Sequence, residues 1–243
     1  MIDWLSLAIV LVLCIILGVL SFRFGLLTAS GSIAAFILGM IIGGLGSIGW
    51  LLILVFFTVF GFIVTRYRIE EKMEMGLQEG KKGERTHLNV LANAFVPAVV
   101  AILAWALQMQ QEAIPAIVYL SAISVAASDT VASEMGILSR KVRLITTFEK
   151  VEPGIDGGVS AYGTMWALLG AVGASIFGWI VLFPDDLLNP LILIPIITGF
   201  IGCNIDSLVG ATLERGGYVG KLGTNMISMA CGALLAFTIL MLI

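Results

Sequence analysis

Four short polar stretches hold most of the side chains in this 243-residue chain that could bind a charged ligand or help transfer a phosphoryl group. The first is Gly80-Lys81-Lys82-Gly83-Glu84-Arg85-Thr86-His87-Leu88-Asn89, with Asn93 one helical turn further on. Basic side chains, glycine-rich backbone amides and the start of a helix together suit phosphate oxygens. Asn89 and Asn93 are four apart and share a helical face, where amides in an apolar segment need partners. The same basic cluster also suits anionic lipid headgroups, and the single histidine, His87, reads as an interfacial residue rather than a base.

The second stretch is Ser128-Asp129-Thr130-Val131-Ala132-Ser133-Glu134. Carboxylates among hydroxyls and small residues suit Mg²⁺, a hard cation that takes oxygen ligands and keeps room for waters or phosphates. A helix cap would account for Ser128 or Asp129, but not for Glu134. The third runs Glu149-Lys150-Val151-Glu152-Pro153-Gly154-Ile155-Asp156-Gly157-Gly158-Val159-Ser160, then Gly163-Thr164. Successive amides in its Pro-Gly and Gly-Gly turns can nest an anion while the acids hold the accompanying metal. The alternative is a surface turn, although this one is wedged between apolar segments where stray carboxylates are costly. The fourth is Asn204-Ile205-Asp206-Ser207-Leu208-Val209-Gly210-Ala211-Thr212-Leu213-Glu214, in which Asp206 interrupts a run that is apolar until then. An acid in such a run marks a functional site, and Asn225 is a further polar contact. The chain has no Walker-type phosphate loop, zinc-protease helix or nucleophile elbow. Any nucleotide is therefore held in another way.

The elements that must position these groups follow from composition. The chain is 59% hydrophobic and 12% charged, with net charge −3 and a mean hydropathy of +1.08. That is too little polar surface for a cytosolic enzyme, a nucleic-acid binder or a disordered chain. Twenty-eight glycines suit closely packed membrane helices. Cys14, Cys203 and Cys231 are scattered as small core residues with no metal-ligand spacing. The start lacks a basic leader, so the first apolar run is expected to be retained as a helix. Windows of membrane length predict eight spans, at 4–22, 26–45, 48–64, 88–107, 114–127, 158–183, 187–202 and 222–243. The fifth is short and the seventh carries Pro190 and Pro195, so both are expected to stop inside the protein and line a cavity.

All thirteen Lys and Arg residues fall in the linkers at 23–25, 65–87, 128–157 and 203–221, and the opposite linkers contain none. The positive-inside rule makes that face cytoplasmic and puts both termini outside. Twelve of the sixteen acids join them, which the rule does not require and which indicates a polar site there. The expectation is a single all-α transmembrane domain over residues 1–243 of a multi-pass cell-membrane protein, with motifs at 80–93, 128–134, 149–164 and 204–214. The small-residue pairs Gly39/Gly43 and Ala174/Gly178 are expected to pack helices, within the chain or between the protomers of a homo-oligomer.

From residue 80 to the C-terminus, the four motifs in this order resemble an integral membrane family that includes the plant phytyl-phosphate kinase. The matching residues are Lys82 to Asn93, Ser128-Asp129-Thr130 with Ala132-Ser133-Glu134, Glu152-Pro153-Gly154 with Asp156 to Ser160, and Asp206-Ser207 with Gly210 to Glu214. The resemblance implies phosphorylation of a prenyl monophosphate to the diphosphate, with CTP as donor and a divalent metal, Mg²⁺. On that reading Asp129, Glu134, Asp156, Asp206 and Glu214 bind Mg²⁺, and Asp129, Asp156, Asp206 and Arg85 form the reacting centre. Lys82 and Arg85 neutralise phosphate charge, and Asn89 and Asn93 orient it. Ser128, Glu149, Glu152, Gly157 and Ser160 complete the nucleotide contacts. The implied partners are the prenyl-phosphate lipid, the nucleotide and the bilayer, with no nucleic acid. Two other readings compete: a cytidylyltransferase making a CDP-lipid, and a permease. Against the permease, the polar residues crowd one side, whereas alternating access puts its site near the midplane. A structural membrane protein without catalysis leaves four acidic motifs on one face unexplained.

Overall fold

Within a bilayer only intrachain hydrogen bonds satisfy the backbone, so long apolar runs wind into helices. A computed structural model of the protein describes residues 4–80 and 83–243. Among the described residues, eight helical segments are long and apolar enough to cross a membrane. They are built on α1 (Trp4–Arg23), α2 (Ala29–Ile41), α3 (Ile48–Arg66), α5 (His87–Ala106), α6 (Ala113–Gly136), α7 (Ala161–Leu182), α8 (Leu193–Val209) and α9 (Lys221–Leu242). A short α4 (Ile69–Glu74) follows α3, and wide π-helical turns extend α2 over Ile42–Gly46 and α8 over Gly210–Glu214.

The mostly helical, eight-span expectation holds, with three corrections. First, the fifth span does not stop near residue 127. It continues to Gly136, so Asp129 and Glu134 sit inside a membrane helix. The alanine- and serine-rich α6 needs little hydropathy because protein encloses it: 83% of an 18-residue stretch of it is buried, against 11% for the corresponding stretch of α1. Second, Pro190 and Pro195 do not break the seventh span. Pro190 opens a 3₁₀ turn, Pro190–Ile192, and Pro195 lies in the first turn of α8, where amides have no intrahelical acceptor. Third, the chain is not purely α. The linker after α6 forms a three-stranded antiparallel sheet, with β1 (Val142–Leu144) between β2 (Lys150–Val151) and β3 (Gly158–Val159). Arg143 pairs with Lys150 on one side and with Val159 on the other.

The axis of the bundle is α6, which touches α3, α5, α7, α8 and α9. Glycines let its neighbours come close. A methyl group at Gly199 or Gly202 of α8 would overlap Ser124 or Val125, one at Gly232 of α9 would overlap Val125, and one at Gly178 of α7 would overlap Leu120. The α6 serine hydroxyls are satisfied locally or by α7: Ser121 donates to the Ile117 carbonyl and Ser128 to the Ala167 carbonyl, both at 2.8 Å. Ser128, expected at the nucleotide, thus ties α6 to α7. Tyr119 donates to the Trp50 carbonyl at 2.7 Å and stacks on the Trp50 ring. The Gly39/Gly43 pair serves packing within the chain, against Cys14 and Val10 of α1.

The four charged linkers meet at one end of the bundle. Backbone bonds join Arg85 to Leu26 and Thr28, Lys72 reaches Glu134, Lys221 reaches Glu79, and the Gly157 backbone lies against Ala211. Because α6 depends on close backbone approach, Gly199→Leu should cost about 1–3 kcal/mol through overpacking and lower Tm in detergent. Gly173→Leu, at a position with open space around it, should leave Tm unlowered.

Candidate functional site

Gly199, Gly202 and Asp206 follow one another at helical spacing along a single stripe of α8, as Val125 and Asp129 do on α6. The close approach at the glycines therefore continues to the two acids, whose carboxyl groups come within hydrogen-bonding reach of each other. Ser228 of α9 donates to Asp206 Oδ1 at 2.8 Å. Two carboxylates so placed repel when both are ionised, so the pair calls for a cation or a proton between them.

Two adjoining cavities meet here: the first is lined by both acids, the second by Asp129 alone of the pair. The first, of about 250 Å³, is lined by Asp129, Asp156, Asp206 and Glu214 and by the turn between β2 and β3. Backbone conformation brings that turn in. Gly157 has φ +75° and lies so near Ala211 that a Cβ would overlap it, while Gly154 has φ +84°. The second cavity, of about 490 Å³, lies between the N-terminal turns of α5 and α9 and is lined by Arg85, Leu88, Asn89, Ala92, Asn93 and Leu222. Glu79, Asp129, Ser133, Glu134, Lys221 and Asn225 belong to both walls.

A buried ionic network sets Arg85. Lys72 is fully buried, and its Nζ donates to the Val64 and Thr65 carbonyls, each at 3.1 Å, and to Glu134 Oε2 at 2.7 Å. Thr65 Oγ1 donates to Glu134 Oε1 at 2.9 Å and accepts from Arg85 Nη2 at 3.2 Å. The Arg85 guanidinium stacks 5.4 Å from the Phe62 ring centre and rests against Gly61, which leaves it room. Burial pulls the Arg85 pKa below its ordinary value, while the charges of Glu134, Glu79 and Asp129 hold it up.

Of the expected site residues, Asp129, Asp156, Asp206, Glu214, Gly157 and Ser160 converge on the first cavity, and Arg85, Asn89 and Asn93 on the second. Several of these side chains already have partners within the protein. Glu134, expected at a metal, already has both carboxylate oxygens engaged by Lys72 and Thr65. Asn89 accepts from the Thr86 amide and donates to Glu79 Oε1, both at 2.9 Å, so it caps α5 and holds Glu79. Asn93 donates to the Asn89 carbonyl at 3.0 Å. Ser160 caps α7 by accepting from the Gly163 amide at 3.0 Å. Glu149 and Glu152 are exposed and line neither cavity, because the short sheet carries them away from the bundle. Lys82 lies outside the described residues. Among the described residues, no group of three or more acid, His or Cys side chains stands ready as a metal cage. Glu214 accepts from Thr224 at 2.8 Å, and Asp156 is exposed.

Sequence reasoning missed Lys72, Thr65, Glu79 and Lys221. Only Lys221 left a signal: it is a cation at the first turn of a membrane helix facing an acid-rich end.

The fold and site define a polytopic helical membrane protein with a polar, acid-rich site at one end of its bundle. Residues 12–233 match the family described as integral membrane protein DUF92, and the chain belongs to that family. It is 36% identical to an uncharacterised membrane protein of Methanocaldococcus jannaschii, over 95% of this chain and 92% of the relative. It is 30% identical to protein PGR of Arabidopsis thaliana, over 82% and 78%. Protein VTE6, chloroplastic, of the same plant is 28% identical over 86% of this chain and 64% of its own length. No solved structure matches the chain.

Removing one partner of a buried ion pair strands the other, so Lys72→Met should cost about 3–5 kcal/mol in detergent unfolding. The double variant Lys72→Met/Glu134→Gln, which removes the stranded charge, should recover most of that loss.

Proposed function

We propose that the protein is a prenyl-phosphate kinase, which uses a nucleoside triphosphate, CTP in the first instance, to convert a prenyl monophosphate to the diphosphate. The observation that carries this reading is the Asp129–Asp206 pair, which lines one cavity and, through Asp129 and Lys221, adjoins a second that is lined by Arg85. The similarity to VTE6, a phytyl-phosphate kinase, supports it. So does the position of the site at the end of the membrane helices, which lets an acceptor keep its tail in the bilayer. The positive-inside rule makes that end cytoplasmic.

A phosphate monoester is already anionic and needs little help from a base to attack a phosphorus atom. The difficulty is to bring two polyanions together in line, so positioning and charge neutralisation carry the catalysis. Hard carboxylate oxygens facing each other fit Mg²⁺, and Asp129 and Asp206 would hold it, with Asp156 and Glu214 contributing from the cavity wall. Bound there, the ion would neutralise charge on the phosphates. Arg85, held by Thr65 and Phe62, presents its guanidinium to a phosphate, while the Gly154 and Gly157 turn offers backbone amides.

Incubation of purified protein with labelled CTP and geranylgeranyl phosphate should give CDP and a prenyl diphosphate. Pyrophosphate with a CMP-lipid would establish the cytidylyltransferase instead, and solute uptake by proteoliposomes without transfer would establish a permease. Asp129→Asn and Asp206→Asn should each lower the transfer rate about 100-fold or more, on the scale of losing a charge-stabilising group. Chelation with EDTA should stop turnover and added Mg²⁺ should restore it.

A further inference from the structure

The two cavities share a wall but differ in charge. Among the described residues, the cavity under the Gly154–Gly158 turn gathers Asp129, Asp156, Asp206 and Glu214, with Lys221 as its cation. The cavity between α5 and α9 has two cations, Arg85 and Lys221. Of its three acids, Glu134 is neutralised by Lys72 and Glu79 faces Lys221 at 3.5 Å. An acid-rich pocket attracts an anion only when a metal accompanies it, whereas at the second pocket Lys72, Lys221 and Arg85 match Glu134, Glu79 and Asp129, so a phosphate can be held there by Arg85 with no metal. The walls differ in polarity too. Leu88, Ala92 and Leu222 line the second cavity from the first two turns of α5 and the first turn of α9, and Leu88 is half exposed. A lipid can reach that cavity without leaving the membrane.

We propose that these are two separate subsites: the α5–α9 cavity takes the monophosphate headgroup of the lipid acceptor, the acidic cavity takes the metal-bound nucleoside triphosphate, and Lys221 at their junction neutralises the phosphoryl group in transit. This rests on the kinase reading above. One oxygen of the lipid phosphate bonds to the γ-phosphorus, and the bond from that phosphorus to the β,γ-bridging oxygen breaks. The nucleoside diphosphate leaves with the electron pair. Total charge is conserved and no proton need be supplied. Donor and acceptor approach from opposite sides of the wall formed by Asp129, Glu134 and Lys221, which is what in-line transfer requires. Lys221 suits the junction because its side chain is 67% exposed and its contact with Glu79 is long at 3.5 Å, so it can turn to a passing phosphoryl group.

The test uses the full chain in lipid nanodiscs, with Mg·CTP and geranylgeranyl phosphate as probes. Leu222→Trp and, as a second filling variant, Ala92→Leu should raise KM for the lipid phosphate about tenfold or more and leave KM for CTP within about twofold. Asp156→Asn should do the reverse. Lys221→Gln should lower kcat about 100-fold with both KM values within about threefold, and Lys221→Arg should restore much of it. Equilibrium binding gives a readout apart from turnover: saturating CTP should leave the affinity for the lipid phosphate within about threefold. Competition between the two ligands, or filling variants that raise both KM values alike, would overturn the two-subsite proposal and leave the kinase reading standing. Simultaneous binding without any transfer by the wild-type protein would overturn the kinase reading, and the catalytic role of Lys221 with it.

Discussion

Asp129 and Asp206 meet because α8 lies against α6 closely enough for glycine backbone to touch side chain. Gly199 and Gly202 give α8 no volume where Ser124 and Val125 project, and the same stripe, one turn on, carries Asp206. In a membrane the helices gain little from hiding apolar surface from lipid, so dispersion at such close contacts supplies much of their cohesion. The glycines thus hold the bundle together and also set how near the two carboxyl groups come. Gly178 and Gly232 do the same for α7 and α9, and Ser228 of α9 is thereby placed to donate to Asp206.

The charged end contains two kinds of ionic chemistry. One is structural and closed. Lys72, from a linker helix too short to stand alone, fills the carbonyl end of α3 and spends its remaining capacity on Glu134. Such a pair contributes little net stability, yet losing one member is costly. The pair also fixes Thr65, and through Thr65 one edge of Arg85. The other kind is open. Among the described residues, Asp129 and Asp206 form no ion pair, and Lys221 is only loosely engaged by Glu79. Charges that the protein does not complete for itself are the ones available to a ligand.

A bundle-end site fits an amphipathic reaction. A prenyl phosphate has an apolar tail that belongs in the bilayer and a dianionic head that does not. The α5–α9 cavity has both surfaces within one wall, with Leu88 and Leu222 beside Arg85 and Lys221. The small sheet between α6 and α7 closes the opposite side, and its Gly157 turn presses on the wide turn that follows α8. The short sheet and the Gly154 and Gly157 turns lie at the charged end, where linker polar groups can find partners or water.

The sequence by itself determined the eight spans, the gathering of charge at one end and the four motifs that line the site. Each of these depends on local hydropathy or on chain order, and both survive without knowledge of neighbours. Tertiary structure alone decided which acids meet. Glu134 looked equivalent to Asp129, but it turns toward Lys72, sixty-two residues away in the chain. Ser128 lies next to Asp129 in sequence, yet it faces α7 rather than the cavity. Glu149 and Glu152 share a motif with Asp156 and are carried out of the site by two short strands. The extent of α6 escaped hydropathy because a helix enclosed by other helices needs no apolar face toward lipid. Adjacent helix positions point about 100° apart, and the rotation of each helix is fixed by the glycines and bulky residues of its neighbours. That information is spread over several helices, and no single stretch of sequence contains it.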